Sequence, residues 1–332
     1  MAVDIVMLAL SLGMILLASV VFTNGIEILG HRSGLHQGVV GSILAAVGTA
    51  LPETIIPVIA ILFFHHAEAH AVGIGAIAGA PFMLATLAFF VTGTAVVIYS
   101  ALGRRTRVMH TDVSGVCRDL TAFLILYGVA ILVSLVHNHP LIRTTTAIGL
   151  VLGYLWYIRV TLKSDGHEIE DVDILHLSKY FRLPETKPVI AFQVVLSLIL
   201  MIWGAHLFVG YVSSVSVNLG VSAMILSIII TPIATELPEK CNSVLWVGRK
   251  KDVLAMGNIT GAMVFQSSFP VAFGVAFTAW DLTGIPLVSA LLAFASAALV
   301  LAWVRIKKTL NPYILMVGGL LYVAFMLYLF LR

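Results

Sequence analysis

Ten stretches of this chain are so long and so apolar that a bilayer suits them better than water. They run at roughly 4–28, 36–64, 71–101, 119–137, 143–162, 188–212, 221–247, 252–278, 284–304 and 311–331. A helix crosses the hydrocarbon core with about 20 mostly apolar residues, and several stretches exceed about 25, which predicts tilt or internal breaks. Composition agrees: 60% of residues are apolar and 11% charged, where soluble domains sit near 45–50% and about 25%. The first stretch lacks a basic n-region and is too long for a signal-peptide core, so it reads as an uncleaved first span. Cys117 and Cys241 lie far apart without CxxC spacing, which implies neither a disulfide framework nor a metal cage.

The basic residues orient these spans. Of 19 Lys and Arg, 16 fall in the odd-numbered connections: Arg32; Arg104, Arg105, Arg107 and Arg118; Arg159, Lys163, Lys179, Arg182 and Lys187; Arg249, Lys250 and Lys251; Arg305, Lys307 and Lys308. The other side holds Arg143 and Arg332, and Lys240 lies inside a span. Basic loops stay in the cytoplasm, so both termini are expected outside, in a plasma-membrane protein whose central connection lies inside.

The chain also repeats itself. Span 2 contains GTALPE, Gly48 to Glu53, and span 7 contains ATELPE, Ala234 to Glu239. Apolar stretches precede both, GVVGSILAAV and GVSAMILSIIITPI. Helices rich in small residues follow both, GAIAGAPFML at Gly75–Leu84 and GNITGAMVFQ at Gly257–Gln266. A weaker match joins GIEILG in span 1 to GAHLFV in span 6. Two halves of five spans follow: residues 1–163, a cytoplasmic linker over 164–187, and residues 188–332. Five is odd, so the second half enters the membrane from the opposite side. Such inverted repeats place their binding site near the midplane where the halves meet.

A proline inside a helix cannot donate to the carbonyl four residues back. Pro52 thus frees the carbonyl of Gly48, and Pro238 that of Ala234. Each proline is followed by a carboxylate, Glu53 or Glu239, with Thr49 or Thr235 four residues earlier on the same helical face. Carbonyl, hydroxyl and carboxylate converging twice make an oxygen cage of the kind that hard cations such as Ca²⁺ take up with 6–8 oxygens. The alternative is that each proline only kinks its helix and each glutamate pairs internally; the cost of intramembrane carboxylates favours function.

The paired motifs resemble the two α-repeats of the sodium/calcium exchanger superfamily, close to GTSLPE followed by GN..GSN.F. The resemblance covers nearly the whole chain. It implies an all-α integral membrane fold of ten helices in two inverted five-helix repeats, with ligands from spans 2, 3, 7 and 8. It matches Glu53 and Glu239 to the family's essential glutamates, and so to the expected cation ligands, and Thr49 and Thr235 to its ligating threonines. The departures cluster. Ala50 and Glu236 replace a Ser. In span 3, Ala76, Ala80, Pro81 and Leu84 stand where polar residues are expected. In span 8 Asn258 remains, but Ala262 replaces Ser and Gln266 replaces Asn or Asp. Few sodium ligands are left.

Span 7 gains polarity instead: Thr231, Thr235, Glu239 and Asn242 or Ser243 fall near one face. Glu236 and Lys240 are spaced i,i+4 in the favourable order for an ion pair. Glu53, Glu236 and Glu239 with Lys240 leave a charge of about −2, which suits one divalent ion. Lys240 can also be a tethered cation in place of a lost sodium, or simply neutralise Glu236 away from any substrate. Glu27 and His206 occupy matching positions in spans 1 and 6 and form a candidate proton relay or plain packing contacts. The HHAEAH loop, His65 to His70, is a polar turn or a transition-metal collector, and the HNHP loop at His137 is a weaker version. The acidic run DGHEIEDVD lacks the spacing of an EF-hand loop and reads as a solvated linker. No phosphate-binding loop or catalytic triad spacing stands out.

The expected function is a secondary antiporter exchanging Ca²⁺ or another divalent cation for Na⁺ or H⁺ by alternating access. The expected cation-binding set is Gly48, Thr49, Glu53, Ala234, Thr235, Glu236, Glu239 and Gln266, with Lys240, Glu27, His206 and Asn258 in coupling or charge compensation. The expected partners are inorganic cations and lipid, without an enzymatic cofactor or nucleic acid, and a monomer suffices. The alternative is a non-transporting sensor or intramembrane enzyme on the same scaffold.

Overall fold

The computed structural model describes residues 1–32, 45–136, 139–163 and 174–331, and the side chains of these except 30, 31, 45–49, 234 and 238. Helices account for nearly all of it. In chain order they are α1 (Ala2–Arg32), α2 (Ala45–Leu62), α3 (Ala67–Met83), a π-helical turn (Leu84–Ala88), α4 (Phe89–Ala101), α5 (Val113–Ser134), α6 (Pro140–Lys163), α7 (His176–Phe181), α8 (Lys187–Leu219), α9 (Ala223–Thr235), α10 (Leu237–Gly248), α11 (Asp252–Gln266), α12 (Phe269–Phe277), α13 (Ile285–Lys307) and α14 (Pro312–Phe330). The one β-type pairing among the described residues is the isolated bridge Met109–Leu310. Eight helical segments are long and apolar enough to cross a membrane, and Leu51–Leu62 and Ala223–Ile233 are shorter apolar helices. Large apolar side chains such as Leu17, Leu132, Trp156 and Leu320 remain exposed, as a lipid-facing surface requires.

Local chemistry sets the helix ends. The ring Nδ1 of His66 accepts the amide of Ala69 at 3.2 Å and starts α3. Asp112 starts α5 by accepting the Ser114 amide at 3.0 Å. Partial burial works against that carboxylate's charge, but the amides of Gly115 and Ser114 hold it below its usual range. Gly220 ends α8 in the left-handed region at φ 65°, where a side chain would be strained.

Among the described residues, three of the expected spans differ from a single continuous α-helix. The start of span 2 lies outside the described residues. Span 3 carries the π turn just after Pro81. Span 7 breaks at Glu236, because Pro238 stands in the first turn of α10. Span 8 breaks at Ser267 and Ser268, before Pro270. In the linker, the acidic run lies outside the described residues, and the later part packs against the helices. Leu175 is fully buried beside Ile28 and Ile190. The amides of Leu175, His176 and Leu177 donate to Glu185, Asn24 and Gln193.

Small residues bring helices into close approach. On α3, a Cβ at Gly75 would lie 2.6 Å from the Met224 carbonyl, and one at Gly79 would lie 2.6 Å from the Ile228 carbonyl of α9. The helices α1 and α8 run antiparallel: Gly25 faces Gln193 and Val194, while Gly204 faces Ser11, Met14 and Ile15. Two apolar clusters result, a smaller one of α1, α2, α3, α8 and part of α9, and a larger one through the other long helices that also takes in parts of α2, α3 and α9.

Buried polar seams join early and late parts of the chain. Arg105, after α4, makes a bidentate pair with Asp252 of α11 at 2.6 and 2.8 Å, and Asp252 also accepts the His110 amide. Asp119 of α5 accepts hydroxyls from Tyr157 at 2.9 Å and Thr260 at 2.7 Å. Arg143 of α6 donates to the carbonyls of Val275, Ala276 and Thr278.

Two predictions follow from the packing. Ala69 is fully buried, so topology is best probed by single cysteines at Glu68 and Lys250, both exposed, in a background without Cys117 and Cys241. An impermeant thiol reagent is expected to label them from opposite sides of the membrane; same-side labelling would refute the orientation drawn from the basic loops. Gly79→Leu is expected to lose about 1–3 kcal/mol by overpacking the α3–α9 contact, read as a lower thermal midpoint of the purified protein, whereas Gly210→Leu, where a Cβ meets nothing within 4 Å, should not.

Candidate cation-binding site

The break between α9 and α10 brings charge into the protein interior. Glu236 sits at the break with φ −92° and ψ 9°, fully buried, and Glu239 lies in the first turn of α10, 3% exposed. Across from them α2 contributes Glu53, 4% exposed. Pro52 and Pro57 lie inside α2, so its ladder loses donors on both sides of this glutamate. The three carboxylates are close enough for their charges to act on one another.

The polar groups around them are few. The side chain of Thr235 stands beside Glu53, and its hydroxyl donates to the Thr231 carbonyl at 3.1 Å. Gln266, at the end of α11, stands beside Glu236. Lys240 Nζ donates to Glu236 Oε2 at 3.1 Å and to the Pro232 carbonyl at 3.2 Å. The Asn258 side-chain amide donates to the backbone carbonyl of Glu239 at 3.3 Å, tying α11 to α10.

Several acceptors are left over. Both carboxylate oxygens of Glu53, Oε1 of Glu236 and Oε1 of Gln266 are buried without a hydrogen-bond partner among the described residues. Buried acceptors of this kind are rare in native proteins and ask for a ligand. Carboxylates with free oxygens at a buried position are donors of the kind a hard cation takes when they are ionised. Among the described residues no three His, Cys, Asp or Glu side chains form a metal cage by themselves, so a cation held here would also need hydroxyl, amide or carbonyl oxygens.

Of the residues expected from sequence, Glu53, Thr235, Glu236, Glu239, Lys240, Gln266 and Asn258 are gathered here. The side chains of Thr49 and Ala234, and the surroundings of Gly48, lie outside the described residues. Glu27 and His206 are not neighbours. The α1–α8 register puts His206 opposite the segment near residue 12, about fifteen residues from Glu27 and so roughly 20 Å along the helix. His206 stacks on Phe64 instead, ring centroids 4.7 Å apart. The HHAEAH loop has structural work: besides the His66 cap, His70 Nε2 bonds to the Phe64 carbonyl at 3.1 Å. The HNHP turn at His137 and Asn138 lies outside the described residues.

On the span-3 side the site is apolar. Ala76, Ala80 and Leu84 are buried and offer no side-chain oxygen. Sequence reasoning missed Asp119, which holds α11 from behind through Thr260. The available signal was a lone carboxylate at the very start of an apolar stretch.

Comparisons with known proteins bear on this arrangement. The family model described as sodium/calcium exchanger protein matches residues 3–163 and 189–332. The inner membrane protein YrbG of Escherichia coli is 24% identical over 242 residues, 72% of this chain and 69% of its own length. The uncharacterized membrane protein MJ0091 of Methanocaldococcus jannaschii is 23% identical over 271 residues, 80% of each chain. Among solved structures, the H⁺/Ca²⁺ exchanger CAX superposes with a TM-score of 0.75 at 15% identity, covering 98% of this chain and 82% of that one. The sodium-calcium exchanger NCX_Mj gives a TM-score of 0.58 at 18% identity, covering 97% of each. These superpositions speak for the fold.

Proposed function

This chain belongs to the sodium/calcium exchanger protein family, and on that premise we propose that it is a secondary antiporter that moves Ca²⁺ or another divalent cation by alternating access. The observation that carries the reading is the set of buried acceptors without donors on Glu53, Glu236 and Gln266, beside Glu239 and one lysine. Three carboxylates and one ammonium leave a charge of about −2, which one divalent ion neutralises. Thr49, Thr235 and the carbonyls of Gly48 and Ala234 complete the shell in this reading.

The reading includes two inverted halves, residues 1–163 and 188–332, each of five spans, so that α2 with α3 and α9–α10 with α11–α12 enclose the ion from opposite sides. The α1–α8 pair contributes to the smaller apolar cluster and not to the larger one, and in this reading it slides as a unit against α2 and α3 to open one face and then the other. Both termini are extracytoplasmic in a plasma-membrane protein.

Protons are the favoured counter-ion. A sodium ion needs several oxygens of its own, and the positions of Ala80, Leu84 and Ala262 supply none. A proton needs only a carboxylate that gives up the cation. Glu53, Glu236 and Glu239 offer that choice, since like charges crowded together favour either a bound cation or a bound proton over neither.

In proteoliposomes, Glu53→Gln and Glu239→Gln are each expected to abolish divalent flux while leaving the elution profile and thermal midpoint of the purified protein intact. Retained flux in either would make that carboxylate structural. Wild-type protein that carries no ion from a panel of Ca²⁺, Mn²⁺ and Mg²⁺ would favour the sensor or enzyme alternative. In sodium-free buffer, divalent release is expected to be matched by a pH change in the vesicle lumen; flux that needs sodium and ignores an imposed pH gradient would assign the counter-ion to Na⁺.

A further inference from the structure

The Lys240 side chain is held as a bound cation would be held. Its nitrogen lies 3.1 Å from a carboxylate oxygen of Glu236 and 3.2 Å from the backbone carbonyl of Pro232. Lys240 is 7% exposed and Glu236 fully buried. The Pro232 carbonyl is unusual in what converges on it. It accepts the Glu236 amide at 3.2 Å as the last ordinary bond of α9, and the ammonium as well. The i,i+4 pair also bridges the break, from the residue at the interruption to the first turn of α10.

From this geometry we infer that Lys240 is a built-in monovalent cation: its ammonium permanently fills an oxygen-lined subsite next to the cargo and thereby fixes the cargo as one divalent ion unaccompanied by a free monovalent one. Carboxylate plus backbone carbonyl is a ligand pair for a hard cation. An ammonium is a compact point charge with three donors, and two of its donors are used here. Removing the ammonium while keeping the oxygens leaves Glu236 Oε2 without its partner, and takes the formal net charge of the four groups from about −2 down to about −3. A buried carboxylate left this way is strongly unfavourable, and a small free cation is the available replacement. The subsite stands on its geometry. Only the statement about cargo rests on the antiport reading.

The test uses the purified full-length protein and three variants: Lys240→Ala, which empties the subsite, Lys240→Met, which fills its volume without charge, and Lys240→Gln, which keeps a donor. Thermal midpoints are compared in NaCl, KCl and N-methylglucamine chloride at one ionic strength. Wild type is expected to be indifferent to the choice of cation. Lys240→Ala should be stabilised by Na⁺ or K⁺ over the organic cation, and Lys240→Met should not. In proteoliposomes Lys240→Ala should recover divalent flux several-fold when Na⁺ or K⁺ is present on both sides. Equal midpoints for Lys240→Ala in all three salts would overturn the inference. So would failure to recover folded Lys240→Ala in high sodium or potassium when Lys240→Gln is recovered. If wild type moves no divalent ion, the antiport reading fails, and the midpoints still decide the subsite.

Discussion

Hydrocarbon offers no partner to an amide or a carbonyl, so a helix in a bilayer is broken only where other protein lines the break. This constraint organises the molecule. The interruptions at Leu84–Ala88, Glu236 and Ser267–Ser268 fall at buried positions, with Leu87 alone half-buried. At the π turn, Ser296 of α13 donates to the Ala85 carbonyl, and α14 passes so closely that a Cβ at Gly318 would lie 2.5 Å from the Thr86 carbonyl. At the second break the surroundings are carboxylates, a hydroxyl and an ammonium. The same rule that makes irregular backbone rare in membranes makes it the natural place for ion chemistry.

Holding that chemistry has a thermodynamic cost. Burying an ion pair such as Glu236–Lys240 contributes little net stability, because desolvation offsets attraction, yet breaking it by removing one partner costs about 3–5 kcal/mol. The Arg105–Asp252 pair differs in kind. All of its partners are supplied: Arg105 also donates to the carbonyls of Val247, Thr106 and Val108. One pair is saturated and holds a loop to a helix. The other leaves Glu236 Oε1 without a donor, and it faces the site.

Much of this was legible in the sequence, for identifiable reasons. Apolar length read out an all-helical chain with eight helical segments long and apolar enough to cross a membrane, because lipid imposes a length, and the duplicated proline–glutamate pair pointed to Glu53 and Glu239. The i,i+4 spacing read out Glu236–Lys240 because one helical turn is a local rule. What stayed hidden was non-local. Arg105 looked like one more basic loop residue and Asp252 like the start of an apolar stretch, since nothing local in a sequence announces a contact across 147 positions. Glu27 and His206 looked like partners because they match in the repeat, but antiparallel packing of α1 on α8 sends matching positions to opposite ends. The docking of residues 174–186 was hidden for the same reason, as its hydrogen-bond partners Asn24 and Gln193 lie in two separate spans.

The seam between Arg105 and Asp252 also has a meaning in time. Ribosomes add about 5–20 residues per second, so Arg105 is made roughly 7 to 30 seconds before the carboxylate it will clasp, 147 residues later. Asp119 waits nearly as long for the Thr260 hydroxyl, 141 residues on, and the Ala85 carbonyl waits for Ser296 still longer. Throughout that interval the early helices carry a guanidinium without its carboxylate and an Asp119 that has only its nearer partners, Arg118 and Tyr157. The early half is a half-built arch, and its keystones, Asp252, Thr260 and Ser296, are the last to be cut.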